Sequence, residues 1–253
     1  MKVTFLGTGT SHGVPLIGCK CKICVSLNPK DKRLRSSVIV DVNKKRLVID
    51  TGPDFRQQML KEKVDCIDAV IYTHDHRDHV AGLDDIRAFN YIMNKSIDIY
   101  AADIVQKGIR EQFGYIFKEK KYPGIPDITF HTIENQPFHI NELEVTPILV
   151  KHMSLPVFGF RIQNFSYITD ANFIAEKEKK KIYGSEVLVL NGLRKEPHPS
   201  HFTLSEAVKL AQELNCKNTY ITHISHQLGL HEEVNDELPA NIQLAHDGLS
   251  LFI

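Results

Sequence analysis

Apolar positions along this chain of 253 residues change period several times. Residues 2–6, 37–42, 46–50 and 69–72 alternate or run apolar over short stretches, the signature of strands, and Asn43-Lys44-Lys45 reads as the turn of a hairpin. Residues 55–63 switch to helical spacing with Phe55, Met59 and Leu60 on one face. Leu83, Ile86, Phe89, Asn90 and Met93 form a second helical stripe, and Val105, Ile109, Phe113 and Ile116 a third behind Asp103 as the expected N-cap. From residue 128 strands return, at 128–133, 143–150, 157–162, 166–169 and 186–190. Thr203-Leu204-Ser205-Glu206 is a capping box that opens a helix with Leu204, Ala207, Val208, Ala211 and Leu214 inward. Strands at 219–222, 242–245 and 249–253 close the chain around the Asp247-Gly248 turn. The order predicts an α/β fold, a sandwich of two similar sheets with helices outside, and no solenoid period is present.

Composition narrows the function classes. Lys+Arg and Asp+Glu are both 31, so no basic excess favours a nucleic-acid backbone and nucleic acid is not expected as a partner. The opening run breaks at Gly7, too short for a signal segment, and no stretch approaches the apolar length of a membrane span; a soluble, cytoplasmic protein is expected. Five cysteines are an odd count, and Cys19, Cys21 and Cys24 crowd together at a spacing that suits a metal better than disulfides. They offer three thiolates to one tetrahedral zinc, with a His or Cys needed from elsewhere as fourth ligand.

The densest chemistry follows the strand at 69–72. Thr73-His74-Asp75-His76-Arg77-Asp78-His79 places imidazoles and carboxylates where a rigid strand end meets a loop. His152, Asp170 and His223 also sit just past strands. Seven candidate ligands exceed what one open catalytic zinc takes and fit two metals sharing a bridging carboxylate, where a bridging water would be activated for hydrolysis. Asp50 is assigned to support behind the ligands. Residues 7–15 form a glycine-rich loop readable either as a phosphate cradle or as a plain turn, from which His12 could approach substrate. The charged, Pro/Gly-punctuated residues 118–126 are an exposed loop and lid candidate. Histidines 131, 139, 198, 231 and 246 have no spacing argument and default to structural or exposed positions, and Cys66 and Cys216 to buried thiols.

His74-Asp75-His76-Arg77-Asp78-His79 with His152, Asp170 and His223 resembles the metallo-β-lactamase superfamily. Gly9-Thr10-Ser11-His12-Gly13-Val14-Pro15, the Cys19–Cys24 cluster and Thr222-His223-Ile224-Ser225-His226-Gln227 are similar to its PhnP-like phosphodiesterase branch. The resemblance covers nearly the whole chain. It implies an αββα sandwich of two mixed sheets flanked by helices, one domain over residues 1–253 with a zinc-binding Cys loop at 18–27. It further implies His74, His76 and His152 on one ion, Asp78, His79 and His223 on another, and Asp170 bridging, the ions being zinc or manganese. Cys19, Cys21, Cys24 and His226 would hold a structural zinc, and His201 would protonate the leaving oxygen as metal-bridged hydroxide attacks. The implied substrate is a small phosphodiester, cyclic ribose phosphate or nucleoside cyclic phosphate, with a homodimer left open. Two other branches compete. A tRNase Z-like endonuclease shares Phe5-Leu6-Gly7-Thr8-Gly9-Thr10 but normally carries a long arm for which no insertion is evident. A PqqB-like carrier or oxidising protein shares the Cys cluster.

Overall fold

The computed structural model describes residues 1–118 and 122–253; the middle of the lid candidate, residues 119–121, lies outside the described residues. Six strands in the first half build one sheet: β1 (Lys2–Gly7), β2 (Ser37–Val42), β3 (Lys45–Ile49), β4 (Ala69–Ile71), β5 (Ile97–Ala101) and β6 (Ile128–Thr132). The second sheet contains β7 (Phe138–Ile140), β8 (Leu143–His152), β9 (Leu155–Ile162), β10 (Phe165–Ile168), β11 (Phe173–Ile174), β12 (Val187–Asn191), β13 (Asn218–Thr222) and β14 (Ile242–Leu244), and β15 (Ser250–Phe252) returns to pair with β1.

The two sheets share one plan. β1, β2 and β3 are antiparallel neighbours and β3 to β6 run parallel. In the other sheet β8, β9 and β10 are antiparallel and β10, β12, β13 and β14 parallel. Parallel pairs need crossovers, and helices supply several of them. α1 (Phe55–Lys61), α2 (Arg77–Val80), α3 (Arg87–Met93) and α4 (Asp103–Gln112) accompany the first sheet; α5 (Glu176–Lys179), α6 (Leu204–Leu214) and α7 (His231–Asp236) the second.

Side-chain alternation sorts the strands into three apolar layers. Val38, Val40, Leu47, Ile49 and Ile71 face Val145, Phe160, Ile162, Tyr167 and Val189 between the sheets. Ile39, Val48 and Val70 point outward onto Phe55, Leu83, Phe89 and Ile109, and Ile148, Leu188 and Leu190 onto Leu204, Ala207, Ala211 and Val234. Strand period 2 met by helix period 3.6 on each outer face gives the expected αββα order.

Three expectations shift locally. Asp103 is the first residue of α4 and Ala102 its N-cap, without a side-chain cap bond. The stripe at 83–93 is a 3-10 turn (Leu83–Ile86) followed by α3, with Leu83, Ile86 and Phe89 buried; Asn90 instead ties its amide to the carbonyls of Lys95 and Asp127. In the glycine loop Gly9 N–H donates to Leu34 O, Thr10 N–H to Ile224 O, Gly13 N–H to Thr10 O and Val14 N–H to Arg33 O, which favours the plain-turn reading over a phosphate cradle. No helix among the described residues is long and apolar enough to cross a membrane.

One close approach fixes the ligand-bearing turn. A Cβ on Gly52 would stand 2.3 Å from the Asp78 carbonyl oxygen, because Thr51 N–H donates to His79 O at 2.7 Å and draws the two backbones together. Gly52→Ala should therefore lose about 1–3 kcal/mol of stability by forced displacement of backbone. Urea denaturation measures it, and an unchanged midpoint would mean that the approach is not tight.

Candidate metal centre

Every sequence-predicted ligand of the central cluster sits at or beyond the C-terminal end of a strand, along one edge of the sandwich. The segment 74–79 follows β4, with Asp78 and His79 in α2; His152 ends β8; Asp170 follows β10 and His223 follows β13. His201 lies between β12 and α6, held by Thr203, whose hydroxyl accepts from Glu206 N–H while the Glu206 carboxylate accepts from Thr203 N–H. Asp50, Asp170 and His223 all adopt positive φ, at 64°, 54° and 55°. For non-glycine residues that conformation costs about 1–2 kcal/mol, so the surrounding packing holds these side chains inward.

Asp170 is the meeting point. Its carboxylate shares three groupings in which the ligand atoms all lie within 4.8 Å of one another: with Asp78, His79 and His223; with His74 and His76; and with His152 and His201. Oδ2 is 3.5 Å from His79 Nε2 and 3.7 Å from His74 Nε2, while Oδ1 is 2.9 Å from His223 Nδ1. The His152 ring lies 5.2 Å from that of His76 and 5.8 Å from that of His74. His76 is exposed at the mouth; His74, His79, Asp170 and His223 are buried.

The outer nitrogen of each buried imidazole is already committed, and this decides which lone pair faces the cluster. Thr73 donates both its N–H and its hydroxyl to Asp50, so His74 Nδ1–H must donate to Thr73 Oγ1 at 2.9 Å. His79 Nδ1–H donates to Asp50 at 2.7 Å, and His152 Nδ1–H to the Ser200 carbonyl at 2.8 Å. His223 Nε2 pairs with Thr10 Oγ1 at 3.2 Å. The inward nitrogens His74 Nε2, His79 Nε2 and His223 Nδ1 are buried with no hydrogen-bond partner. Unpartnered buried nitrogens converging on a carboxylate are the donor set a divalent cation takes, oriented from behind as metal-binding histidines are.

The electrostatics point the same way. Burial pushes His74 well below the ordinary imidazole range, reinforced by His79. Burial acts likewise on His79, but Asp170, Asp78 and Asp50 outweigh it and raise that imidazole well above normal. Asp170 resists the raising effect of its own burial because His223 and His79 hold it well down. Asp170 and Asp78 thus stay ionised inside a buried cluster of imidazoles, an arrangement that favours positive charge at its centre.

Cys19, Cys21, Cys24 and His226 form a separate grouping within the same 4.8 Å limit. The His226 Nδ1 atom is 3.6 Å from Cys19 Sγ and 3.4 Å from Cys21 Sγ. A tetrahedral zinc with ordinary bond lengths sets such edges at about 3.6 Å. His226 lowers the Cys21 thiol to about 6, while burial pushes Cys24 up to about 11.

Sequence reasoning placed Asp50 correctly behind the ligands but gave no role to Thr10, Thr73 or Ser200, whose partners are remote or adjacent with no motif to mark them. It also set His198 aside, whereas His198 and His12 both line a cleft beside His201. His231 is buried against the Arg33 guanidinium at 3.0 Å, and His131 pairs with Asp98 at the surface. Cys216 is buried as expected; Cys66 is half-buried.

Imidazoles gathered around a shared carboxylate, at the strand ends of two facing mixed sheets, form a donor set of the kind that metal-dependent hydrolases use for divalent ions. The family model described as the beta-lactamase superfamily domain matches residues 45–224, and the chain belongs to that superfamily in its metallo-β-lactamase form. A solved structure described as a new diphosphatase from the PhnP family is 40% identical, with a TM-score of 0.93 over 100% of this chain and 97% of that one. The octanoyltransferase of Porphyromonas gingivalis is 37% identical across 100% of this chain but only 52% of its own length, so this chain spans about half of that relative. Coenzyme PQQ synthesis protein B of Methylorubrum extorquens is 27% identical over 76% of this chain and 73% of that protein.

Proposed function

We propose that the protein hydrolyses small phosphodiesters at a two-metal centre of zinc or manganese, with cyclic ribose or nucleoside phosphates as the substrate class. The position of Asp170 in all three of these ligand groupings carries this reading, because one carboxylate within reach of both sets of ligands is what two adjacent ions share. Asp78, His79 and His223 would hold one ion and His74, His76 and His152 the other. Bound there, the ions would supply a water activated near neutral pH and neutralise charge on the phosphoryl oxygens. Asp50, Thr73, Ser200 and Thr10 keep the imidazole lone pairs aimed inward. Cys19, Cys21, Cys24 and His226 hold a structural zinc that shapes the loop at 18–27.

His201 is assigned to the departing oxygen. Its ring lies 4.6 Å from that of His152 and 4.8 Å from that of His223. Burial, aided by His223, pushes it down to about 3, so it is neutral in the free protein. Donation then requires the anionic substrate to draw a proton onto it, or the neutral ring to donate an N–H to the departing oxygen. His201→Ala should retain bound metal and lose roughly 100-fold or more in kcat on an alkyl or cyclic diester, but far less on an aryl diester whose phenolate leaves unaided. Equal loss on both substrates would remove the acid role.

A second reading comes from the word diphosphatase in the similar structure's description, which makes a phosphoanhydride an alternative substrate. The octanoyl transfer for which one relative is named is not carried over, since this chain spans only about half of that relative. The deciding assay compares bis(4-nitrophenyl) phosphate, nucleoside 2′,3′-cyclic phosphates, a dinucleoside diphosphate and precursor tRNA with manganese- or zinc-loaded protein. Cleavage of none would favour a non-hydrolytic role of the PQQ-synthesis kind.

A further inference from the structure

The last residue of β12, Asn191, is fully buried, and its carboxamide faces the backbone of one residue. Oδ1 accepts from Ala171 N–H at 2.8 Å, and Nδ2 donates to Ala171 O at 2.9 Å. Ala171 directly follows Asp170, the carboxylate at the middle of the cluster. The ladder between β10 and β12 ends at the pair Ile168 and Leu190, so the chain beyond it leaves the sheet and turns at Asp170 with φ 54°. Where the ladder stops, the Asn191 side chain offers a donor and an acceptor side by side, as a peptide unit does. The matching turn in the other sheet is held backbone to backbone, Asp50 N–H donating to Ile71 O and Thr51 N–H to His79 O. At Ala171 a side chain does this instead.

Two more functional turns meet at the same point. Asn191 stands in register with Thr222, the residue before His223, and Gly192 N–H donates to Thr222 O at 3.0 Å. Ala171 O accepts a second bond, at 2.8 Å, from the N–H of Phe202, which follows His201; Leu193 N–H donates to Phe202 O at 3.0 Å. Residues 191–193 thus join the turns that carry Asp170, His223 and His201.

We propose that Asn191 is a positioning residue for Asp170: it presets the turn that carries the shared carboxylate before any ion binds, and fixes that turn relative to His223 and His201. This rests on the reading of Asp170 as a metal ligand. A non-glycine residue at positive φ relaxes unless its neighbours hold it there. With an apolar side chain at position 191, Ala171 would keep a buried N–H and lose its acceptor, and the turn would shift to recover one, taking the carboxylate with it. Among the described residues Asn191 makes no hydrogen bond to a ligand side chain, so its influence passes through the turn.

Cobalt(II) is the probe, added to protein whose Cys19, Cys21, Cys24 and His226 site keeps its zinc. Asn191→Leu, close to asparagine in size, should bind cobalt at the Asp170 centre about 10- to 100-fold more weakly and alter the d–d absorption of the bound ion, with the zinc retained. Thr219→Val on β13, also buried and with a hydroxyl that has no partner, is the control and should leave both unchanged. A folded Asn191→Leu protein with wild-type cobalt affinity overturns the proposal. So does an equal loss at both metal sites, or an equal effect of Thr219→Val, since either marks general loosening of the sheet. If Asn191→Leu does not fold, hydrogen exchange in the wild type decides. Without ions at the Asp170 centre, Ala171 N–H and Phe202 N–H should already be as protected as amides inside β12; protection that develops only when cobalt is added means that the ion sets the turn, and overturns the proposal. Cobalt binding by the wild type tests the ligand reading of Asp170 separately, and if that fails the same exchange measurement still decides whether the turn is preset.

Discussion

Asp170→Ala is expected to strip metal from the centre and lower turnover about 1,000-fold or more, equivalent to ~4 kcal/mol of transition-state stabilisation. The side chain lies within 3.7 Å of nitrogens on His74, His79 and His223, so its loss removes a ligand from each side at once. The imidazoles would remain aimed inward by Asp50, Thr73, Ser200 and Thr10, but Asp78 would be the one carboxylate left in the grouping, on one side of the centre. Elemental analysis together with turnover is the check, and full metal content in the variant would displace Asp170 from the centre.

Cys21→Ser is expected to act in the opposite manner, on the fold first. With Cys19, Cys24 and His226 it brings four ligand atoms within 4.8 Å, where zinc binding can contribute about 10 kcal/mol or more to folding. Whole-domain stabilities are themselves about 5–15 kcal/mol, so losing even part of this is large. Bound zinc should fall by one ion per chain and the urea midpoint should drop clearly. The surface pairs on the same loop, Lys22–Glu233 and Lys30–Glu232, are exposed and cannot compensate. Unchanged zinc content would sink the assignment. The effect should also reach the hydrolytic centre, because His223 and His226 belong to one short loop whose Ile224 is bonded to Thr8 and Thr10.

How much of this was legible beforehand follows the range of the interactions. Strand and helix patterns predicted the layers because burial writes a local signal, near-continuous apolar runs where both faces are covered, as in β2 and β3, and period 3.6 in α6. Helix entry at Thr203 was legible because the capping box is a four-residue device. Where prediction slipped, at Asp103 and along residues 83–93, alternatives of nearly equal local energy were chosen by packing on the sheet.

The chain alone therefore determined the alternating layers, the identity of the metal-binding residue types and their placement after strands, since these depend on neighbours a few positions away. Tertiary structure decided what those residues do together. Asp50 and Asp170 end matching strands of the two sheets, β3 and β10, and both take positive φ, yet one became a brace and the other the shared carboxylate. That difference arises only when the sheets face each other. Arg194 and His198, which no motif marked, share a cleft with His12 of the glycine loop because loops far apart in sequence end on the same edge of the sandwich, and long-range proximity leaves no local signature.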